Sequence, residues 1–458
     1  MTTAATSTAI ALFSRDLRVH DNPVLVAAAE AVDRVVPLFV LDEAILRADY
    51  NRPNRARFLA ESLADLDSGL RGMGAGLVVR RGDVVDEVAK LADEVGAGQI
   101  HLAADVSGYA RRRQQRLRQR LDDAGRQLCV HDASVTVVPP GEVTATGKDH
   151  MAVFTPYHRR WEHQHRRDPL PPPQSLDMPR VPRGTLPGQH DICPGETSPD
   201  LLPGGERAGR QRLDAWLHDG VHEYADRNDG LAADATSRLS PYLHFGCLSA
   251  TEIVQRAGDS NGAQAFVRQV CWRDFHHQVL AARPDAVSAD YRTRNDRWRG
   301  DDDAFTAWQQ GRTGYPVVDA GMRQLAAEGW MHNRARLIVG HFLCKTLYVD
   351  WRLGARHFFD LLIDGDMANN TMNWQWVAGT GTDTRFNRTM NPVTQGRRHD
   401  PDGDYVRRYV PELAEVASPA VHAPWKLPAA LRRKLDYPDP IVDFAEATEE
   451  FLHARGKR

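Results

Sequence analysis

Three short segments carry side chains whose types and spacing could do chemistry. Thr236-Ser237-Arg238-Leu239-Ser240-Pro241 gathers three hydroxyls and a guanidinium just ahead of a helical pattern. Hydroxyls, backbone N–H groups and a helix N-terminus are what a phosphate or pyrophosphate needs, although a plain N-cap beside a surface arginine uses the same letters. Asp364-Gly365-Asp366, followed by Asn369 and Asn370, sets two carboxylates in a run dense with amides and indoles, DGDMANNTMNWQW. They could hold a metal, accept from a ribose or pair with arginine. The run has too few oxygen ligands for a hard cation, and Arg334 and Arg336 stand ready upstream, so no metal is expected. In Cys271-Trp272-Arg273-Asp274-Phe275-His276-His277, Trp272 and Arg273 could stack on and clamp a nucleobase and its phosphate. His276 and His277 are adjacent, about 100° apart on a helix, and cannot chelate one ion together. The basic run Arg111–Arg116 reads as a solvated helix face.

Other chemistries lose support by absence. There is no GxSxG, no HExxH and no GxxxxGK[ST], which removes the nucleophile elbow, the zinc peptidase and the P-loop hydrolase. The five cysteines (Cys129, Cys193, Cys247, Cys271, Cys344) are scattered without a CxxC, so a disulfide framework or iron–sulfur cluster is not expected. A net charge of −3 excludes a uniformly basic nucleic-acid binder but not a local patch. Ten tryptophans include seven between Trp272 and Trp376, and clustered indoles serve packing, base stacking or electron transfer. Many indoles, a phosphate-binding turn and no acid–base pair point to a cofactor that carries the hard chemistry.

The elements that must position these groups fall into two kinds. Apolar runs at Ile10–Phe13, Val35–Leu41, Leu77–Val79, Ile100–Ala103 and Leu128–Val130 predict strands. Amphipathic stretches at Val24–Ala31, Arg55–Leu70, Val84–Val95 and Tyr109–Leu121 predict the helices between them. This rhythm argues for a doubly wound parallel sheet. No GxGxxG follows the first strand, where Phe13-Ser14-Arg15-Asp16-Leu17-Arg18 stands instead. Pro171–Gly205 is rich in proline and glycine and reads as a surface connector. From Glu206 onward the patterns are helical: Gly209–His218, Ala263–Ala281, Asp303–Gln310, Val317–Glu328, Asn333–Val349 and Arg352–Leu362. The expected layout is an α/β domain over residues 1–132, a connector over 133–205 and an all-α domain over 206–458. With 458 residues, 42% of them hydrophobic, the chain is long enough to bury a large ligand. No apolar run approaches a membrane span, the first residues do not form a signal peptide and the cysteines are scattered, so a cytoplasmic chain is expected; it is also expected to be a monomer.

Six segments in this order resemble the photolyase/cryptochrome flavoprotein family, most closely its bacterial cyclobutane-dimer enzymes. They are FSRDLRVHDNPVL (Phe13–Leu25), TSRLSPYLHFG (Thr236–Gly246), CWRDFHH (Cys271–His277), GRTGYPVVDAGMRQL (Gly311–Leu325), GWMHNRAR (Gly329–Arg336) and DGDMANNTMNWQWVAGTGTD (Asp364–Asp383). The resemblance covers nearly the whole chain. It implies an N-terminal antenna domain, a helical domain holding FAD, and light-driven repair of cyclobutane pyrimidine dimers in UV-damaged DNA.

The resemblance assigns Tyr224, ahead of the second segment, and Thr236, Ser237, Arg238, Leu239 and Ser240 within it to the flavin's phosphates and ribityl chain. Asp364 and Asp366 would hold the ribose and isoalloxazine, with Arg336 paired to Asp364. Asn370 falls against flavin N5, where repair enzymes carry Asn and many receptor cryptochromes carry Asp or Cys. Trp374, Trp351 and Trp298 occupy the positions of the photoreduction chain, Trp374 nearest the flavin. Gln269, Trp272, Arg273, Asn333, Arg334, Leu337, Trp376 and Gln395 match the lesion pocket or DNA contacts, into which the family flips its target. Trp272 and Trp376 would pack on the pyrimidine faces and Arg334 would neutralise phosphate.

Two departures bear on the lesion. Gln269 stands where the dimer enzymes usually carry glutamate, and an amide supplies neither proton nor charge. Leu337 replaces a pocket methionine, a near-isosteric change. Gln269 also fits the (6-4) photolyase branch, but Asn333 and Leu337 stand where that chemistry needs imidazoles. A cryptochrome-like blue-light receptor would call for a long C-terminal tail, and the chain runs only a short way past Trp425. For the antenna, Ser107-Gly108-Tyr109 resembles the 8-hydroxy-5-deazaflavin form more than the methenyltetrahydrofolate form, which tends to carry Asn-Glu there.

Overall fold

The structure is a computed structural model that describes residues 6–456. Compactness divides the chain into two units. The first comprises residues up to Thr197, Leu202–His222 and Ser237–Pro284; the second comprises Ser198–Leu201, Glu223–Thr236 and the chain from Asp285 onward.

The first unit is built on five parallel strands, β1 (Thr8–Phe13), β2 (Arg34–Asp42), β3 (Val78–Gly82), β4 (Gln99–Ala103) and β5 (Gln127–His131), in the order β3-β2-β1-β4-β5. The central β1 is buried at every residue, as a parallel strand covered on both faces must be. Helices α1 (Pro23–Ala31), α2 (Pro53–Gly72), α3 (Val84–Val95) and α4 (Gly108–Asp122) alternate with the strands. Their ends follow local chemistry. Asn22 accepts from the Val24 and Leu25 N–H groups ahead of Pro23, Asp83 accepts from Val85 and Asp86, and Ser107 accepts from Ala110. All five predicted strands and all four predicted helices are present at these positions.

After β1, where a dinucleotide fold would carry glycines, the backbone turns on the Asp16 carboxylate, which accepts from Ser14 N–H at 2.8 Å. Arg18 fills the space behind, buried and donating to the carbonyls of Asp21, Gly246 and Ser134. A side chain thus occupies the place where a phosphate would need open backbone. The proline-rich segment is not a free connector. Its Asp177 carbonyl accepts from Val35 N–H at 2.9 Å and its Arg183 carbonyl from Val79 N–H at 2.7 Å, so it covers the edge of β3. Gly184 makes this approach possible: with φ +73, a Cβ there would lie 2.3 Å from the Val79 carbonyl oxygen.

Helices α5 (Phe154–Trp161), α6 (Glu206–Ala215), α7 (Ser240–Phe245), α8 (Ala250–Arg256) and α9 (Asn261–Ala282) belong to the same unit. The expected boundary between residues 205 and 206 therefore does not coincide with the division by compactness. Buried polar side chains are the reason. The Glu206 carboxylate accepts from Val19 and His20 N–H, and Asp274 Oδ2 accepts from Val137 N–H, Val138 N–H and Trp161 Nε1–H.

Among the described residues the second unit has no strand. Its main helices are α10 (Asp302–Gln309), α11 (Pro316–Glu328), α12 (Asn333–His341), α13 (Trp351–Leu361), α14 (Met367–Ala378), α15 (Pro392–His399), α16 (Asp404–Tyr409) and α17 (Phe444–Ala454). The helical pattern read over Asn333–Val349 changes character at Phe342, where a wide turn over Phe342–Thr346 replaces the α-helical one, and Tyr348 then takes φ +56. The core here is aromatic: Trp308, Phe342, Trp351, Phe358, Trp374 and Tyr405 belong to one buried cluster.

Candidate functional site

A polar constellation of the second unit surrounds the start of α14. Asp366 caps that helix, its Oδ1 accepting from the Asn369 backbone N–H at 2.8 Å and from the Asn369 amide at 2.6 Å. Two residues upstream, Asp364 Oδ2 accepts from Arg336 Nη2 at 2.8 Å, the pairing expected from sequence. Arg336 is held in turn by its Nε–H on the Met331 carbonyl at 2.9 Å. The other carboxylate oxygen, Asp364 Oδ1, is buried with no hydrogen-bond partner among the described residues, and so is the hydroxyl of Thr236. A buried acceptor and a buried hydroxyl left unspent cost free energy unless a ligand engages them. Polyol and phosphate groups have the matching chemistry.

Asn370 lies one turn into α14 and is buried, with its Nδ2–H on the Ala355 carbonyl of α13 at 3.1 Å. That bond orients the amide, leaving the carbonyl side of the group as its unspent end. Tyr224 stands in a short turn of the same unit, and burial beside the Asp229 carboxylate pushes its phenol up to about 12.

Two of the three indoles expected to form the relay are buried and the third is half-buried. Trp374 and Trp351 are 3% and 1% exposed, and Trp298 packs half-buried against the same core cluster. Trp374 meets Phe358 edge to face at 4.9 Å and Trp308 at 6.1 Å. Trp351 donates its Nε1–H to Asp290 at 3.0 Å while the Arg352 guanidinium lies 4.6 Å from its ring centre. The close fit of α13 to Trp374 depends on Gly354, where a Cβ would fall 2.3 Å from the indole Cη2.

Of the expected substrate residues in this unit, Asn333 is exposed at the start of α12 and Leu337, Trp376 and Gln395 are half-buried. Arg334 is not a free cation. Its Nε and Nη2 donate to Asp229, with a shortest contact of 2.7 Å, across a separation of 105 residues. Nothing in the sequence marks that partner. His341 was also not expected: it faces Trp376 edge to face at 6.1 Å, and neither ring nitrogen has a hydrogen-bond partner among the described residues.

In the first unit, Ser237 and Arg238 are half-buried, Leu239 is buried, and Ser240 is exposed at the start of α7. Arg238 takes φ +51, and the Ser237 hydroxyl accepts weakly from Leu239 N–H at 3.4 Å. Gln269 is exposed on α9. Trp272, one turn on, is stacked on Phe154 at 3.6 Å and 6°, so one of its faces is already covered. Arg273 departs from expectation. It is buried at 8% exposure, with Nη1–H on the Val135 carbonyl at 2.6 Å and Nη2–H on that of Leu243 at 3.2 Å. It points into the unit from the inner face of α9 and serves packing, not a phosphate.

Comparison with known proteins gives these observations a frame. Residues 9–174 match the family model described as DNA photolyase, and residues 266–457 match the FAD binding domain of DNA photolyase. The chain is 59% identical over 455 residues to a deoxyribodipyrimidine photo-lyase of Streptomyces griseus, covering 98% of this chain and 99% of that protein. Among solved structures it resembles a class III photolyase of Agrobacterium tumefaciens, with TM-score 0.93, 33% identity, and coverage of 100% of this chain and 98% of that one. It also resembles a Synechocystis cryptochrome, with TM-score 0.90, 28% identity, and coverage of 99% and 100%. A parallel five-stranded unit, a helical unit with an unspent Asp364 oxygen, and similarity along the whole length lead to one statement: the chain belongs to the DNA photolyase family and carries its FAD-binding domain.

Proposed function

We propose that this chain is a deoxyribodipyrimidine photo-lyase, which uses light to split cyclobutane pyrimidine dimers in UV-damaged DNA. The observation that carries the reading is its 59% identity, end to end, to a photo-lyase. The arrangement of α12, α13 and α14 supports it from the chemistry.

Bound FAD in its reduced form supplies a light-driven electron to the dimer and takes it back after the ring opens, with no net redox change. The protein binds, orients and excludes water. In this reading Asp364 accepts from the cofactor through Oδ1, with Arg336 neutralising its charge, and Asp366, which also caps α14, joins it in holding the ribose and isoalloxazine. Tyr224, Thr236, Ser237, Arg238, Leu239 and Ser240 hold the phosphates and ribityl chain. Asn370 presents an amide at flavin N5, which accepts or donates a hydrogen bond but is a poor acid. Trp374, Trp351 and Trp298 relay electrons inward when the flavin must be photoreduced, and the half-buried Trp298, outside the buried pair Trp374 and Trp351, suits the surface end of such a path.

For the lesion, Trp272 and Trp376 offer indole faces, Gln269 reads the thymine edge, and Asn333, Leu337 and Gln395 complete the pocket. Phe154 backs Trp272, so a pyrimidine has the opposite face of the indole. Arg334 meets a phosphate as one half of the Asp229 pair, which weakens its pull at a distance. The cryptochrome-like receptor and the (6-4) photolyase are not favoured: Asn333 and Leu337 supply no imidazole, and Asn370 is not an acid. For the antenna we infer 8-hydroxy-5-deazaflavin over methenyltetrahydrofolate, from Ser107-Gly108-Tyr109 at the start of α4; extraction and absorption of the chromophore from protein produced in its own host tests this. We also infer a cytoplasmic monomer. Among the described residues no helix is long and apolar enough to cross a membrane. The repair reading is tested by illuminating the reduced holoenzyme with a dimer-containing oligonucleotide and following loss of the dimer.

A further inference from the structure

We propose that Phe154 sets lesion specificity by positioning Trp272, on the reading of that indole as a wall of the lesion pocket. It covers one face of the indole and leaves the other open. Trp272 then stacks on the outer face of a linked pyrimidine pair and does not enter between the bases of intact DNA.

Four side chains of the first unit build the platform. Phe154, the first residue of α5, lies flat on Trp272 of α9, with ring centroids 3.6 Å apart and planes at 6°. Phe275, buried on α9, meets both rings edge-on: Phe154 at 5.7 Å and 84°, Trp272 at 5.6 Å and 89°. A ring perpendicular to two others keeps them parallel. Arg268 stands one turn before Trp272 on α9, and its guanidinium carbon lies over the Phe154 ring, 5.0 Å from the centre. His158, one turn along α5, touches the same ring at 5.5 Å. Phe154 is therefore held from both helices and is 5% exposed, whereas Trp272 is half-buried. The interior fixes one ring, and that ring fixes the plane of the other.

The consequence for recognition follows from the shape of the lesion. An indole open on both faces can slide between two stacked bases, and every base has a π face to offer. In a cyclobutane dimer two carbon–carbon bonds join adjacent pyrimidines, so no ring enters between them and only their outer faces accept one. A one-faced indole loses the first mode of stacking and keeps the second. Discrimination thus comes from weakening the competitor as well as from fitting the target. Phe154 also sets the plane of the indole before binding, so less side-chain freedom is lost when the lesion docks.

The test compares wild type with Phe154→Leu, Phe154→Tyr, Arg268→Met and Trp272→Leu, all as holoenzyme in the dark. Fluorescence anisotropy gives Kd for a single strand carrying one cyclobutane thymine dimer and for the same strand intact. Labelling with 5-fluorotryptophan gives Trp272 a fluorine resonance of its own, assigned by its loss in Trp272→Leu. Flavin content and far-UV circular dichroism check the fold. Phe154→Leu keeps an apolar side chain but removes the flat partner. It should move the Trp272 resonance, weaken binding of the dimer strand roughly two- to tenfold and tighten binding of the intact strand. Phe154→Tyr should restore the wild-type ratio of the two Kd values. Arg268→Met, at a half-buried position, should shift the resonance and the ratio in the same direction by less, with the salt dependence of binding unchanged.

A moved resonance with both affinities unchanged, or changed by the same factor, overturns the proposal, because Phe154 then only packs. A resonance that stays in place in Phe154→Leu overturns the stack itself. A shallower salt dependence in Arg268→Met makes that residue a phosphate contact and overturns its part in the platform. If Trp272→Leu leaves affinity for the dimer strand unchanged, the reading of Trp272 as a pocket wall fails as well.

Discussion

Arg336 Nη2 donates to Asp364 Oδ2 at 2.8 Å while Oδ1 of the same carboxylate is buried without a partner among the described residues. Half of the carboxylate is thus spent on keeping its charge tolerable in the interior, and half is left for a ligand. Removing Asp364 strips the acceptor and leaves the guanidinium uncompensated. Asp364→Ala should weaken FAD binding by about 2 kcal/mol, roughly thirtyfold in Kd. Equilibrium dialysis with flavin fluorescence measures this. Asp364→Asn keeps an oxygen and should lose less.

Gly354 is the place where α13 comes closest to Trp374. A Cβ there meets the indole Cη2 at 2.3 Å and Leu343 Cδ2 at 2.6 Å, inside a packed core. Gly354→Ala should destabilise the protein by about 1–3 kcal/mol through overpacking, read by denaturant unfolding. Trp374→Phe fits the same space and separates the roles. It should abolish photoreduction of oxidised flavin, yet leave repair by chemically reduced protein intact.

Asp274 gives a pH dependence. Burial pushes its carboxyl up to about 6 from an ordinary 3.8, against the lowering pull of Arg273 and the N–H donors of Val138, Trp161 and Val137. Because the folded value is raised, the native state holds the proton more tightly than the unfolded chain. The stabilisation is complete below the unfolded value and is lost as pH rises through about 6. A shift of this size amounts to about 3 kcal/mol. Asp274→Asn removes the titration, so its unfolding free energy should fall less than that of wild type between about pH 4 and pH 7.

Gln269 is exposed on α9, one turn before Trp272. An amide there can bond the edge of a thymine but adds no charge to the pocket. Gln269→Glu should raise the dimers repaired per photon absorbed while leaving affinity for the damaged oligonucleotide unchanged. Repair yield and fluorescence anisotropy check the two halves separately.

Periodicity read the fold well where one physical rule governed. Each of the five strands is a short apolar run and each crossover helix has one apolar face, so β1 to β5 and α1 to α4 lay open in the letters. Chain order was a poorer guide to compactness. Glu206 and Asp274 are letters in helical stretches, and only the structure shows them bonding backbone of the sheet unit. Within the site, the Arg336–Asp364 pair was legible because both residues sit in distinctive segments. Arg273 was not: an arginine beside a tryptophan looks like a clamp until its helix face is known, and here that face is inward. Asp229 and Phe154 were missed because long-range pairing leaves no local mark.

The central claim is repair, and one measurement reaches it most directly. Purified holoenzyme with fully reduced FAD is given a cyclobutane thymine-dimer oligonucleotide under near-UV or blue light, and dimer content is followed by chromatography against a dark control. The account predicts that the dimer disappears in the light and restores intact thymines, with no loss in the dark. Dimers that persist under illumination, in protein whose flavin is bound and reduced, would contradict it.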